Sequence, residues 1–75
     1  MVSVIIPVYN EESTVRETLT TLPLGSNLEA IVVDGGSTDK TKEIAGQFPV
    51  RIIETAKNRA IQMNQGAKQA RGDIF

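Results

Sequence analysis

Polar residues able to meet an anion or a ribose gather in three short stretches of this chain: Pro7–Glu12 (PVYNEE), Asp34–Asp39 (DGGSTD) and Lys57–Ala60 (KNRA). In the first, Tyr9 offers a flat ring and a hydroxyl suited to packing beside a base or ribose. Asn10 and Glu11 can hydrogen-bond ribose hydroxyls. An ordinary strand-to-helix turn, with Asn10 as helix cap, accounts for the same residues. In the second stretch, Asp34 closes an apolar run and two glycines follow, which lets a ligand approach the backbone closely. Asp34 can accept from a nucleobase N–H, or it can bond the amides of its own turn. In the third, Arg59 falls in the first turn of an expected helix, where backbone amides lack partners. A guanidinium beside free amides suits a diphosphate. Lys57, Asn64, Lys68 and Arg71 share one side of that helix, with Asn64 flanking its apolar stripe. Lys68 and Arg71 read as solvated cations with apolar stems laid on the surface. The glycines form neither a GxGxxG fingerprint nor a GK[ST] phosphate loop.

Composition narrows the chemistry. The 75 residues include no cysteine and no histidine. That excludes disulfides, Cys/His zinc sites and a histidine base within these residues. Apolar residues at 40% and charged residues at 23% suit a globular rather than a disordered chain. A net charge of −1 argues against bulk electrostatic binding to nucleic acid or anionic membrane. The charge is uneven: Lys57, Arg59, Lys68 and Arg71 face only Asp73 after residue 55, whereas acids dominate before it. The apolar stretch Val2–Tyr9 is too short to span a membrane and follows no basic region. The expected location is the cytoplasm, with any membrane association left to regions outside these residues.

The three stretches need a scaffold, and the apolar pattern supplies one. Val2–Val8 (VSVIIPV) and Leu28–Asp34 read as strands covered on both faces. Pro7 belongs near the end of the first, since it cannot donate to a strand ladder. Asn10 reads as the cap of a first helix, with Glu11 and Glu12 in its first turn and Val15, Leu19 and Leu22 inward. Ser37 or Thr38 can cap a second, with Thr41, Ile44, Ala45 and Phe48 inward. Val50–Glu54 is a third strand. Residues 57–71 form a third helix with Ala60, Met63, Ala67 and Ala70 on one face and Gly72 as its stop. Asp73, Ile74 and Phe75 begin a fourth strand. The order β-α-β-α-β-α-β predicts an α/β fold, a Rossmann-like parallel sheet with helices on both faces. In such sheets ligands bind beyond the C-terminal strand ends, where all three polar stretches fall. A chain that stops as a strand begins is expected to be the N-terminal portion of a larger domain. Its open sheet edge makes self-association of the isolated segment an expected hazard.

The stretches SVIIPVYNEE (Ser3–Glu12), EAIVVDGGSTDKT (Glu29–Thr41) and NRAIQMNQGAKQARGDIF (Asn58–Phe75) together resemble the N-terminal half of family 2 glycosyltransferases, which have the GT-A fold. The resemblance implies inverting transfer of a sugar from a nucleotide-activated donor to an acceptor, usually with a divalent metal, Mg or Mn. It implies that residues 1–75 are the nucleotide-binding portion of a glycosyltransferase domain. Pro7, Tyr9, Glu11 and Asp34 match the family's nucleotide contacts, and Arg59 is similar to a basic residue that contacts the diphosphate. Many relatives carry two adjacent aspartates where this chain has Asp34 and Gly35. The family's DxD metal motif and its later catalytic carboxylate fall beyond the position of Phe75. No catalytic or metal-binding residue is therefore assigned here, and the 75 residues alone are expected to be inactive. A nucleotidyltransferase-like enzyme would instead show a Gly-rich, basic loop after the first strand, which PVYNEE lacks. A non-catalytic α/β nucleotide-binding or interaction module is the other alternative.

Overall fold

The computed structural model describes residues 1–74. Its elements follow the expected order: β1 (Val2–Val8), α1 (Val15–Thr20), β2 (Leu28–Asp34), α2 (Thr41–Ala45), β3 (Arg51–Glu54), α3 (Arg59–Gln69) and β4 (Asp73–Ile74). The strands form one sheet in the order β3-β2-β1-β4, and every pairing is parallel. β1 thus has a partner on each side, β2 along its whole length and β4 at Val2 and Ser3. Of the expected fourth strand, Asp73 and Ile74 pair, and Phe75 lies outside the described residues.

The sheet separates two apolar layers, because successive side chains of a strand point to opposite faces. On one face Val8 and Val32 pack with Val15 and Leu19 of α1 and Ala45 of α2, joined by Phe48 and Ile52. On the other, Ile5, Ile31 and Val33 meet Met63, Ala67 and Ala70. Burial of one such aliphatic side chain stabilises by roughly 1.5–3 kcal/mol. This arrangement explains why β1 and β2 read as continuous apolar runs. Gly66 lets α3 settle onto the sheet: a Cβ there would collide with Ile5 Cγ2 and press to 3.1 Å from Val33 Cγ2.

The helix starts depart from expectation. Asn10 has φ 48°, in the left-handed region, so it cannot take the extended conformation of an N-cap. Helix α1 begins only at Val15, and Thr14 at its cap position makes no side-chain cap bond. The amides of Thr14 and Val15 instead turn back to the Glu11 carbonyl, at 3.0 and 2.8 Å. Glu11 and Glu12 therefore precede the helix rather than lie in its first turn. Neither Ser37 nor Thr38 caps α2; the nearest equivalent is Asp39, whose Oδ1 accepts from the Thr41 amide at 2.9 Å. Helix α3 is shorter than residues 57–71 and is capped by Asn58, whose Oδ1 accepts from the Ile61 amide at 3.0 Å. Its buried positions are Gln62 and Gly66, while Ala60 and Asn64 are exposed.

At the N-terminal strand ends a polar network ties β1, β2, β3, the end of α3 and the turn before β4 together. Ser3, fully buried, donates to Glu29 Oε2 at 2.6 Å and accepts from the Gly72 amide at 2.9 Å. The same Glu29 oxygen accepts from the Arg71 amide, and Oε1 accepts from Arg51 Nη1 at 3.2 Å. Arg51 Nη2 also donates to Gln69 Oε1 at 2.9 Å. The Ser3 hydroxyl and the Arg71 amide, with a smaller contribution from Arg51, hold the Glu29 carboxyl below its ordinary value against the opposing effect of burial.

Candidate functional site

The C-terminal strand ends carry two loops that bond to each other through a ladder of side chains. The Asn10 amide donates to Ser37 Oγ at 2.9 Å, and Asn10 Oδ1 accepts from the Thr38 amide at 2.8 Å. The Glu11 amide donates to Thr41 Oγ1 at 2.7 Å. The Glu12 amide donates to Asp39 Oδ2, and Glu12 Oε2 accepts from the Lys40 amide, both at 3.2 Å. Left-handed Asn10 makes this possible, because it turns both its amide and its side chain toward the second loop. Asp39 sits among these bonds. Burial alone would raise its pKa, but the Thr41 hydroxyl and amide and the Glu12 amide outweigh that and hold it below its ordinary 3.8.

Asp34 takes the local-turn role. It is 2% exposed, and its Oδ2 accepts from the Gly36 and Ser37 amides at 3.0 and 2.9 Å. Its Oδ1 accepts from Ser37 Oγ at 2.6 Å. Gly36, at φ 90°, supplies the left-handed residue that lets the loop fold back over this carboxylate.

Beside this latched pair of loops lies an open cleft of about 250 Å³. Pro7, Val8, Tyr9 and Glu11 line it from the end of β1, and Lys57, Asn58, Arg59 and Gln62 from the start of α3. Four of the five expected site residues, Pro7, Tyr9, Glu11 and Arg59, are thus brought together; Asp34 does not line the cleft. Lys57 Nζ rests 4.2 Å from the centroid of the Tyr9 ring, within the range of a cation–π contact. Among the described residues the ion pairs are Lys42–Glu54 and Arg51–Glu29, so neither Lys57 nor Arg59 has an acidic partner. The Arg59 and Ala60 amides add positive potential beside them, because they have no partner within the helix and the Asn58 cap takes the Ile61 amide.

Gln62 forms the floor and is 5% exposed. Its Nε2 donates to the Val8 carbonyl at 3.2 Å and the Val33 carbonyl at 2.9 Å, fastening α3 to the ends of β1 and β2. Sequence reasoning passed over Gln62 because one amide on a helix of mixed polarity looks solvated. The available signal was its place beside Met63 and one turn before Gly66, on the sheet-facing side. Lys57, grouped in the KNRA stretch without a role of its own, lies in the cleft at the bend before α3, with its ammonium over Tyr9.

Among the described residues no group of three or more acidic, histidine or cysteine side chains is placed to hold an ion. Asp34 and Asp39 spend their oxygens on amides and hydroxyls. These residues do not by themselves fit a divalent metal, and none of their roles here depends on one.

Residues 3–75 match the sequence profile of Glycosyl transferase family 2. The chain belongs to that family. Among curated relatives, it is 36% identical over 83 residues to a dolichol-phosphate mannosyltransferase of Pyrococcus furiosus, covering 99% of this chain and 24% of that protein. It is 42% identical over 86 residues to the glycosyltransferase AglE of Haloferax volcanii, covering 99% and 28%. An undecaprenyl-phosphate 4-deoxy-4-formamido-L-arabinose transferase of Pseudomonas aeruginosa is 34% identical over 87 residues, with 99% and 26% covered. The family 2 chain thus spans about a quarter of the length of these relatives, as the 24% to 28% coverages show. The crystal structure of S. aureus TarS superposes with a TM-score of 0.83 at 29% identity, over 99% of this chain and 15% of that one. The parallel α/β architecture is the one that the GT-A resemblance implies. No described helix is long and apolar enough to cross a membrane.

Proposed function

We propose that this segment binds the nucleoside diphosphate of an activated sugar donor, and that its parent protein transfers the sugar to an acceptor with inversion. The observation that carries the reading is the cleft at the C-terminal strand ends. It combines an aromatic ring, two cations without acidic partners among the described residues and the start of a helix. The Arg59 guanidinium and the Arg59 and Ala60 amides would hold the diphosphate, Tyr9 would pack beside the base or ribose, and Glu11 would accept from ribose hydroxyls. Pro7 would keep the β1 end free of a ladder donor where the ligand enters. Asp34 would contribute first by shaping its loop, and a base N–H would reach its carboxylate only where Ser37 gives way. Inverting transfer also needs a carboxylate to deprotonate the acceptor and, in this family, a metal to offset leaving-group charge. Both roles are assigned to residues outside these 75.

Calorimetric titration of the full-length parent with nucleoside diphosphates tests the reading. Binding that weakens by about 1–3 kcal/mol in Arg59→Ala, with the fold intact, supports it. Absence of binding, or affinity unchanged in Arg59→Ala, rejects it. The interaction-module alternative predicts no nucleotide binding at all.

A further inference from the structure

Lys57 occupies the ring that the proposed ligand would need. Its ammonium lies over Tyr9 at 4.2 Å from the centroid. The lysine is exposed, sits on the bend before α3 and is two residues from Arg59 on the same wall of the cleft. Glu11, the acid lining the opposite wall, is not within ion-pair distance of it. The Tyr9 ring is thus its resting partner, held by an attraction that a four-carbon stem can leave easily.

We propose that Lys57 is a displaceable cover on Tyr9 that makes the cleft select diphosphate-bearing nucleotides over uncharged nucleosides. The inference rests on the nucleotide reading above. A base or ribose that packs on the Tyr9 face beneath the ammonium must first move it, and the lost cation–π contact weakens binding by about twofold to fivefold. A diphosphate offsets this loss, because the displaced ammonium can join the Arg59 guanidinium on its oxygens. A nucleoside has nothing to offer the ammonium and keeps the full penalty. Selectivity therefore comes from a repulsive element as well as an attractive one.

The test is calorimetric titration of the full-length protein with uridine and guanosine diphosphates and with uridine and guanosine. Wild type, Lys57→Met and Lys57→Arg are compared, with thermal melts to verify folding. For the base that binds, Lys57→Met should lower the ratio of diphosphate to nucleoside affinity by at least about tenfold. Part of that change should be a gain in nucleoside affinity, and the gain should vanish when Tyr9→Leu is also present. Lys57→Arg should keep the wild-type ratio. An unchanged ratio in Lys57→Met, or equal weakening of both ligands, overturns the inference while leaving the nucleotide reading in place. Failure of wild type to bind any of the four ligands overturns both.

Discussion

The two ends of the sheet use charge in opposite ways. At the N-terminal end, the Glu29 oxygens accept from Ser3, Arg71 and Arg51, and Arg51 is shared with Gln69. At the C-terminal end, Lys57 and Arg59 have no acidic partner among the described residues and line an open cleft. Charges that are spent on neighbours fasten a fold; charges left unspent beside a concavity are available to a ligand. Helix α3 joins the two regimes. It starts at the cleft with Arg59 and ends with Gln69 at the network. Gln62 and Gly66 hold its middle against the sheet.

The comparison can be broken most severely at that middle. Gly66→Val should cost about 3 kcal/mol, since the added carbons have no space beside Ile5 and Val33. Chemical denaturation should show the loss, and nucleotide affinity should fall with it, because both ends depend on α3. Ser3→Val should cost about 2 kcal/mol by leaving the Gly72 amide and Glu29 without the buried hydroxyl. Because this change acts at the closed end, nucleotide affinity in the folded fraction should stay at the wild-type value. Arg59→Ala should do the reverse, weakening nucleoside diphosphate binding about tenfold or more while leaving the melting temperature unchanged.

Acid titration sharpens the contrast further. Glu29 is held below its ordinary 4.5, so the folded protein keeps this carboxylate ionised where the unfolded chain has begun to protonate it. Its contribution to stability is complete above 4.5 and is lost as pH falls through the lower folded value. Thermal melts of wild type and Glu29→Gln, run from neutral pH down past 4.5, should converge on the acid side. The smallest effect is expected at Lys42–Glu54, a 3.0 Å pair with both side chains about half exposed, at 49% and 62%. Lys42→Ala should change stability by less than about 1 kcal/mol, and less still at high salt.

Much of the scaffold is legible in the sequence. The β-branched runs at Val2–Val8 and Leu28–Asp34 can only be strands buried on both faces, and their alternation with helical spacing implies a parallel sheet. The cleft was partly legible, because residues that end parallel strands converge whatever their sequence separation. Local spacing does not reveal the conformation of Asn10, which is left-handed because Ser37 and Thr38 lie across from it. Gln62 is chosen by the Val8 and Val33 carbonyls, 54 and 29 residues away. Ser3 and Glu29, likewise, become a pair only once β1 and β2 are in register. Asp34 admitted two readings because an aspartate before two glycines suits an open ligand loop and a closed turn equally. The Ser37 hydroxyl and the Gly36 and Ser37 amides give it the second.

The most direct measurement is an amide chemical-shift map of the full-length protein, isotopically labelled and titrated with a nucleoside diphosphate. The account predicts saturable shifts at Tyr9, Glu11, Lys57, Arg59 and Gln62, with Ser3, Glu29 and Arg51 unmoved. Saturable shifts centred on the Ser3–Glu29–Arg51 end, or a spectrum that the nucleotide does not change, would contradict it.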